Sequence, residues 1–219
     1  MANEIKPHQI RADDFSRRFA LRAPNLMWLL GAGASASAGI PTASNMVWEF
    51  KQLLLVSQRH ISPQAVADLS NPAIRAQIQA HIDASEHLPP LGAADEYAAL
   101  FEAVYPSEAD RRAYLDSKMA GAKPSYGHLG LATLMRAQLT RLVWTPNFDS
   151  LVADACAKIY DTTGSLTSIT LDAPEVAAQV IANARWPIEV KLHGDFRSRR
   201  LKNTSDELRQ QDAHLRQVL

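Results

Sequence analysis

Short apolar runs alternate along this chain with segments whose apolar positions recur every three or four residues, the pattern of strands feeding helices. Leu26–Leu30 is an apolar run that predicts a buried strand, and it empties into a turn of Gly, Ala and Ser alone. Met46, Val47, Phe50, Leu53 and Leu54 then fall at helical spacing and predict a helix from about Thr42 to Val56. Ahead of the first strand, Asp13–Leu21 fits a short helix with Phe15, Phe19 and Leu21 on its apolar side. The alternation resumes at Ser125, with a helix over Ser125–Arg136, a strand over Leu139–Thr145 and a helix over Phe148–Ile159. A strand over Leu166–Leu171, a helix over Pro174–Arg185, a strand over Ile188–Leu192 and a charged helix over Thr204–Leu219 complete the series. Strands alternating with helices imply an α/β fold, a Rossmann-like parallel sheet with helices on both faces. Ligands in such sheets sit beyond the carboxyl ends of the strands.

Residues 58–122 break the pattern. They are rich in Ala, Gln and Glu, carry no convincing strand, and are punctuated by Pro63, Pro72, Pro89-Pro90, Pro106 and Gly121. Several short helices forming a helical insertion are the expectation, with Gln77, His81 and Glu86 on a solvated face. No repeat or low-complexity tract is present. The chain stops inside a helical pattern at Arg216–Leu219, so a truncated C-terminal end is expected.

Composition narrows the class. With 219 residues the chain can bury one substantial core, and 47% apolar and 21% charged residues are ordinary for a globular protein. Lys plus Arg equal Asp plus Glu at 23 each, which argues against a strongly electrostatic nucleic-acid binder. The single cysteine, Cys156, excludes an internal disulfide and a multi-cysteine zinc site. Met1–Pro7 is polar and unlike a secretory signal, and no run approaches the ~20 apolar residues of a membrane span. A soluble, cytoplasmic protein is expected.

The candidate chemistry lies at three strand ends. The first expected strand ends in Gly31-Ala32-Gly33-Ala34-Ser35, the second in Thr145-Pro146-Asn147-Phe148-Asp149, and Ile188–Leu192 in His193-Gly194-Asp195. In a parallel sheet these ends share one edge, so the three polar clusters converge on one crevice. Gly31 and Gly33 are expected to take backbone angles that other residues avoid and to let a ligand reach the main chain. Free N–H groups at a helix start favour phosphate, so a nucleotide is expected there. Taken singly, each motif has a plainer reading. Gly31 and Gly33 fit a tight turn, and the dinucleotide fingerprint fails because residue 36 is Ala. Asn147 and Asp149 fit helix N-caps, and His193 fits a structural histidine. Arg197, Arg199 and Arg200 fit a solvated face, with phosphate steering or a partner contact as the alternative, and the four tryptophans fit core positions.

Taken together, the motifs resemble the sirtuin superfamily. Gly31-Ala32-Gly33-Ala34-Ser35, Gly39-Ile40-Pro41, Thr145-Pro146-Asn147-Phe148-Asp149 and His193-Gly194 follow that family's order and approximate spacing over about residues 25–200. The resemblance implies binding of NAD and cleavage of its nicotinamide–ribose bond. It places the pyrophosphate on the backbone of Gly31, Ala32, Gly33 and Ser35, and makes Ile40 and Pro41 walls of the nicotinamide pocket. It gives Asn147 the orientation of the ribose and a water, Asp149 the nicotinamide carboxamide, and His193 the role of general base, with Gly194 beside it. No metal is implied.

Departures from the family pattern refine the expectation. The protein deacetylases follow Gly-Ile-Pro with Asp-Phe-Arg and carry zinc cysteines after His-Gly. Here Thr42-Ala43-Ser44 and Asp195-Phe196-Arg197 stand instead, and Pro146 replaces a Gln. The chain is more similar to the zinc-free sirtuin-like NAD hydrolase domains of bacterial antiviral defence systems, which share the His-Gly-Asp sequence. That branch implies an NAD glycohydrolase effector, active as an oligomer and controlled by a sensor domain or partner protein. An NAD-dependent deacylase or ADP-ribosyltransferase, and a non-catalytic module that binds NAD or an ADP-ribose derivative, are the alternatives.

Overall fold

The computed structural model describes residues 9–170, 176, 179, 180, 182–195, 200 and 201. Its elements in chain order are α1 (Ala12–Arg22), β1 (Trp28–Leu29), α2 (Ala32–Ala36), α3 (Ala43–Arg59), α4 (Pro72–Asp83), α5 (Glu96–Val104) and α6 (Glu108–Met119). They continue as α7 (Tyr126–Arg136), β2 (Leu142–Thr145), α8 (Leu151–Tyr160), β3 (Thr167–Thr170), β4 (Ile188–Lys191), β5 (Gly194–Asp195) and β6 (Arg200–Leu201). The main sheet is parallel throughout, in the order β1-β2-β4-β3. This is the expected Rossmann-like α/β architecture.

The order of the strands matters more than their number. β4 enters between β2 and β3, with Thr145 opposite Lys191 and Thr170 opposite Lys191 on the other side. Had the strands followed chain order, β3 would separate the end of β2 from the end of β4. Instead the three motif-bearing ends, after β1, β2 and β4, are consecutive neighbours.

Alternation along the strands assigns the two faces. Val143 packs with Leu131, Ala132 and Met135 of α7 and with Val152, Ala155 and Cys156 of α8. On the opposite face Ile188 and Val190 meet Ile169 and Val180, the latter in a helical stretch. Leu29 on β1 stays 72% exposed.

Several boundaries differ from the sequence expectation, and four of the differences have a clear local reason. β1 covers Trp28–Leu29 rather than Leu26–Leu30, because Leu26 N–H closes a turn on the Ala23 carbonyl. β2 starts at Leu142 rather than Leu139. Gln138 at φ +60° and the bonds Gln138 N–H to Met135 O and Leu139 N–H to Leu134 O form a Schellman closure of α7 that consumes those residues. α8 starts at Leu151 rather than Phe148, because Asn147 N–H is taken by Thr145 Oγ1 and Asp149 Oδ1 accepts the Leu151 N–H. The Gly-Ala-Ser stretch is not a bare turn: Ala32–Ala36 is a helix of 5 residues, as its alanines favour.

The expected glycine strain is also corrected. Neither Gly31, at φ −96°, nor Gly33 has a positive φ. Gly39, at φ +88°, does, and it lets the chain turn from α2 into α3. That second helix opens with a capping box, in which Thr42 Oγ1 accepts the Asn45 N–H and Asn45 Oδ1 accepts the Thr42 N–H.

Among the described residues, 58–122 carry helices joined by turns and no strand. With α3 they build a lobe around Phe50, Leu54, Ile82, Leu100, Phe101, Tyr114 and Leu115, with the Phe50 and Phe101 rings stacked at 4.8 Å. Phe148, from the loop after β2, packs against this cluster and ties the lobe to the sheet edge. The helix expected over Pro174–Arg185 is seen as helical positions at Val176, Gln179, Val180 and Ala182, and the one over Thr204–Leu219 lies outside the described residues.

Candidate active site

The ends of β1 and β2 are stitched together by side chains. Thr145 Oγ1, at the end of β2, donates to the Leu30 carbonyl at 2.9 Å and accepts the Asn147 N–H at 3.0 Å. The Asn147 amide then reaches across to the first strand end. Its Nδ2 donates to the Gly31 carbonyl and to Ser35 Oγ, both at 2.9 Å. Ser35 Oγ donates to Asp149 Oδ2 at 2.5 Å.

The direction of this network follows from its chemistry. A carbonyl only accepts, so Gly31 O requires the Nδ2 end of Asn147. Ser35 spends its single proton on Asp149 and therefore accepts from Asn147. Both amide protons of Asn147 are thus used within the protein, and Oδ1 remains as an acceptor for whatever occupies the cavity. Asp149 receives Ser35 on Oδ2 and Leu151 N–H on Oδ1, and a carboxylate has further lone pairs to offer. Ser35 itself is 3% exposed, so the junction is buried where Asn147 and Asp149 are half-buried.

These groups line a cavity of about 320 Å³. Ala32, Ser35, Ile40 and Pro41 form one wall, Pro146, Asn147, Phe148 and Asp149 a second, and His193 a third. The lobe closes it with Ala43, Met46, Tyr97, Leu115, Lys118 and Met119 among others. Most of the lining is apolar, with the polar groups gathered at the sheet edge. This is the usual make-up of a small-molecule site. His193 faces Phe148 with ring centroids 6.3 Å apart, and burial pushes its imidazole below the ordinary value of 6.5. It is therefore held toward the neutral form that can take a proton.

Of the residues singled out in the sequence, Ala32, Ser35, Ile40, Pro41, Asn147, Asp149 and His193 meet at this one cavity. Gly31 contributes its carbonyl to Asn147 and does not line the cavity, and Gly33 does not line it either. A Cβ built on Gly31 or Gly33 would meet nothing within 4 Å, so open space lies beside this backbone. Gly194 enters the β5–β6 ribbon, opposite Leu201. The side chains of Arg197, Arg199 and Arg200 lie outside the described residues.

Sequence reasoning missed the lobe's contribution. Tyr97, Leu115, Lys118 and Met119 come from helices read only as an insertion, and nothing in their spacing distinguishes a cavity wall from a helix core. It also missed Thr145 as the bridge between β1 and β2, a role that depends on which strands are neighbours.

Among the described residues no group of three or more His, Cys, Asp and Glu is placed to hold a metal ion. No helix there is long and apolar enough to cross a membrane. No protein-family model and no curated protein matches the chain.

Proposed function

We propose that this cavity cleaves the nicotinamide–ribose bond of NAD by hydrolysis, giving nicotinamide and ADP-ribose. The observation that carries the reading is the meeting of Asn147, Asp149 and His193 with Ala32 and Ser35 at one mostly apolar cavity. The resemblance of these same segments to the sirtuin motifs supports the choice of NAD.

A cavity of about 320 Å³ is sized for the nicotinamide ring and its ribose rather than the whole dinucleotide. The ring lies among Ile40, Pro41 and Phe148, with its carboxamide N–H donated to Asp149. Asn147 Oδ1 accepts from a ribose hydroxyl or from the attacking water. The pyrophosphate runs over the backbone at Gly31–Gly33, where space is open.

In the reaction the bond between the ring nitrogen and ribose C1′ breaks, and its electron pair neutralises the nicotinamide ring. Positive charge builds on the ribose, as in glycoside hydrolysis generally. A water oxygen bonds to C1′ and its proton passes to His193, which returns it to solvent. The apolar walls limit which nucleophile enters, and orientation of the water supplies much of the rate. In cells the reading is that of a defence effector under the control of a sensor domain or partner protein, active as an oligomer.

The test is to incubate the protein with NAD and follow nicotinamide by chromatography, with and without an acetyl-lysine peptide. Release without peptide supports hydrolysis. Release only with peptide replaces it by deacylation, and binding of NAD without release replaces it by a signalling module.

A further inference from the structure

Behind the loop that carries Asn147 and Asp149, β4 buries two charged residues. Glu189 and Lys191 are each 1% exposed, and lysine and glutamate are almost never buried so fully unless paired. They stand two residues apart on a strand and so share a face, the one turned toward α8. Glu189 accepts from Ser168 Oγ at 2.7 Å. Lys191 Nζ donates to the carbonyl of Asp149 and lies 3.5 Å from the carbonyl of Phe148.

Lys191 does not line the cavity described above. It lines a second one, of about 320 Å³, behind the loop, together with Ser150, Asp154, Ser168 and Glu189. Its ammonium bears on the reacting cavity through the backbone of residues 148 and 149. Thr145, the residue opposite Lys191 in the sheet, holds the same loop by the Asn147 N–H. The segment 147–149 is thus gripped from two adjacent strands: its amide by a hydroxyl on β2 and its carbonyls by an ammonium on β4.

We propose that Lys191 is a positioning residue of the active site, an ammonium clamp that sets the backbone of residues 148–149 and thereby the side chains of Asn147 and Asp149. The proposal rests on the reading of the cavity as an NAD-cleaving site. Its chemistry is charge-assisted hydrogen bonding to carbonyl oxygens, which is shorter and stronger than neutral pairing. A small misplacement of an orienting group can lower turnover by about 10²-fold, which sets the scale of the expected effect.

The test uses the double variant Lys191→Met, Glu189→Gln, which removes the two buried charges of β4 together. Two readouts are taken: steady-state NAD cleavage, and hydrogen exchange of the amides of residues 147–151. The clamp expects a cooperative melt, a fall in kcat of about 10- to 100-fold with KM for NAD little changed, and faster exchange confined to 147–151. A wild-type kcat with wild-type exchange overturns it. If the unmutated protein releases no nicotinamide, the NAD reading falls, and exchange alone decides the clamp: faster exchange in 147–151 upholds it and unchanged exchange overturns it. If the double variant does not fold, Lys191→Arg decides. It keeps the charge but shifts the donors, so a lowered kcat at an unchanged melting temperature upholds the clamp, and an unchanged kcat overturns it.

Discussion

Ser35 Oγ donates to Asp149 Oδ2 at 2.5 Å, a bond between residues 114 positions apart in the chain that joins the loops after β1 and β2. The same oxygen accepts from Asn147, so one hydroxyl holds both Asn147 and Asp149. Ser35→Ala leaves two partly buried groups short of a partner, each a loss of about 1–3 kcal/mol where water cannot substitute. Urea unfolding should report a destabilisation of that order, and nicotinamide release should fall with it. A variant with unchanged stability and turnover would show that the junction is dispensable.

Acid should act on both stability and turnover. Burial pushes His128 and His193 below the ordinary value of 6.5, with nearby Asp149 partly opposing the shift at His128. In the unfolded chain both protonate near 6.5, so between the folded and unfolded values the unfolded state binds more protons. Their stabilising contribution is present above pH 6.5 and is lost as pH falls through the depressed folded values. Urea midpoints measured from pH 7.5 down to about 5 should decline on the acid side. His128→Gln should flatten the decline. For catalysis, the acid limb of kcat/KM should lie below 6.5, because burial lowers the pH at which His193 takes up a proton.

The lobe that closes the cavity has an ion pair at its centre. Lys51 Nζ, on a side chain with no exposed surface, stands 2.5 Å from Glu96 Oε1 and donates to Gln79 Oε1 at 2.6 Å. Lys51→Met strands the Glu96 carboxylate and should cost about 3–5 kcal/mol. Adding Glu96→Leu should recover most of it, because the desolvation penalty goes with the second charge. Chemical denaturation of the single and double variants checks this, and a single variant as stable as wild type would contradict it.

Cys156 should be inert in the folded protein. It is fully buried, and burial, then the charge of Glu189, pushes its thiol up to about 11. Labelling with a thiol reagent at pH 8 should be slow until denaturant is added. Fast labelling under native conditions would show that α8 opens readily.

Alternating apolar runs and helical spacings were enough to predict β1, β2, β3 and β4, the helices flanking them and a strandless insertion. What they could not convey is non-local. Nothing local places β4 beside β2, yet that placement brings His193 to Asn147. The conformational demand for glycine falls at Gly39 rather than at Gly31 or Gly33, because three alanines and a serine are content to continue as a helix. The site polar groups were visible as motifs, whereas Tyr97 and Met119 were hidden in ordinary helix patterns. Glu189 and Lys191 did carry a signal, since charges at alternate positions are out of place in a strand expected to be buried on both faces.

The central claim is that Asn147 and His193 act on NAD at one cavity. The most direct measurement is nicotinamide release from NAD by the wild-type protein, Asn147→Ala and His193→Ala, each shown to be folded by its thermal melt. Release by the wild type and its loss in both variants are expected, with melts that remain cooperative. Near-normal release by either folded variant, or none from a wild type assembled with its partners, would contradict it.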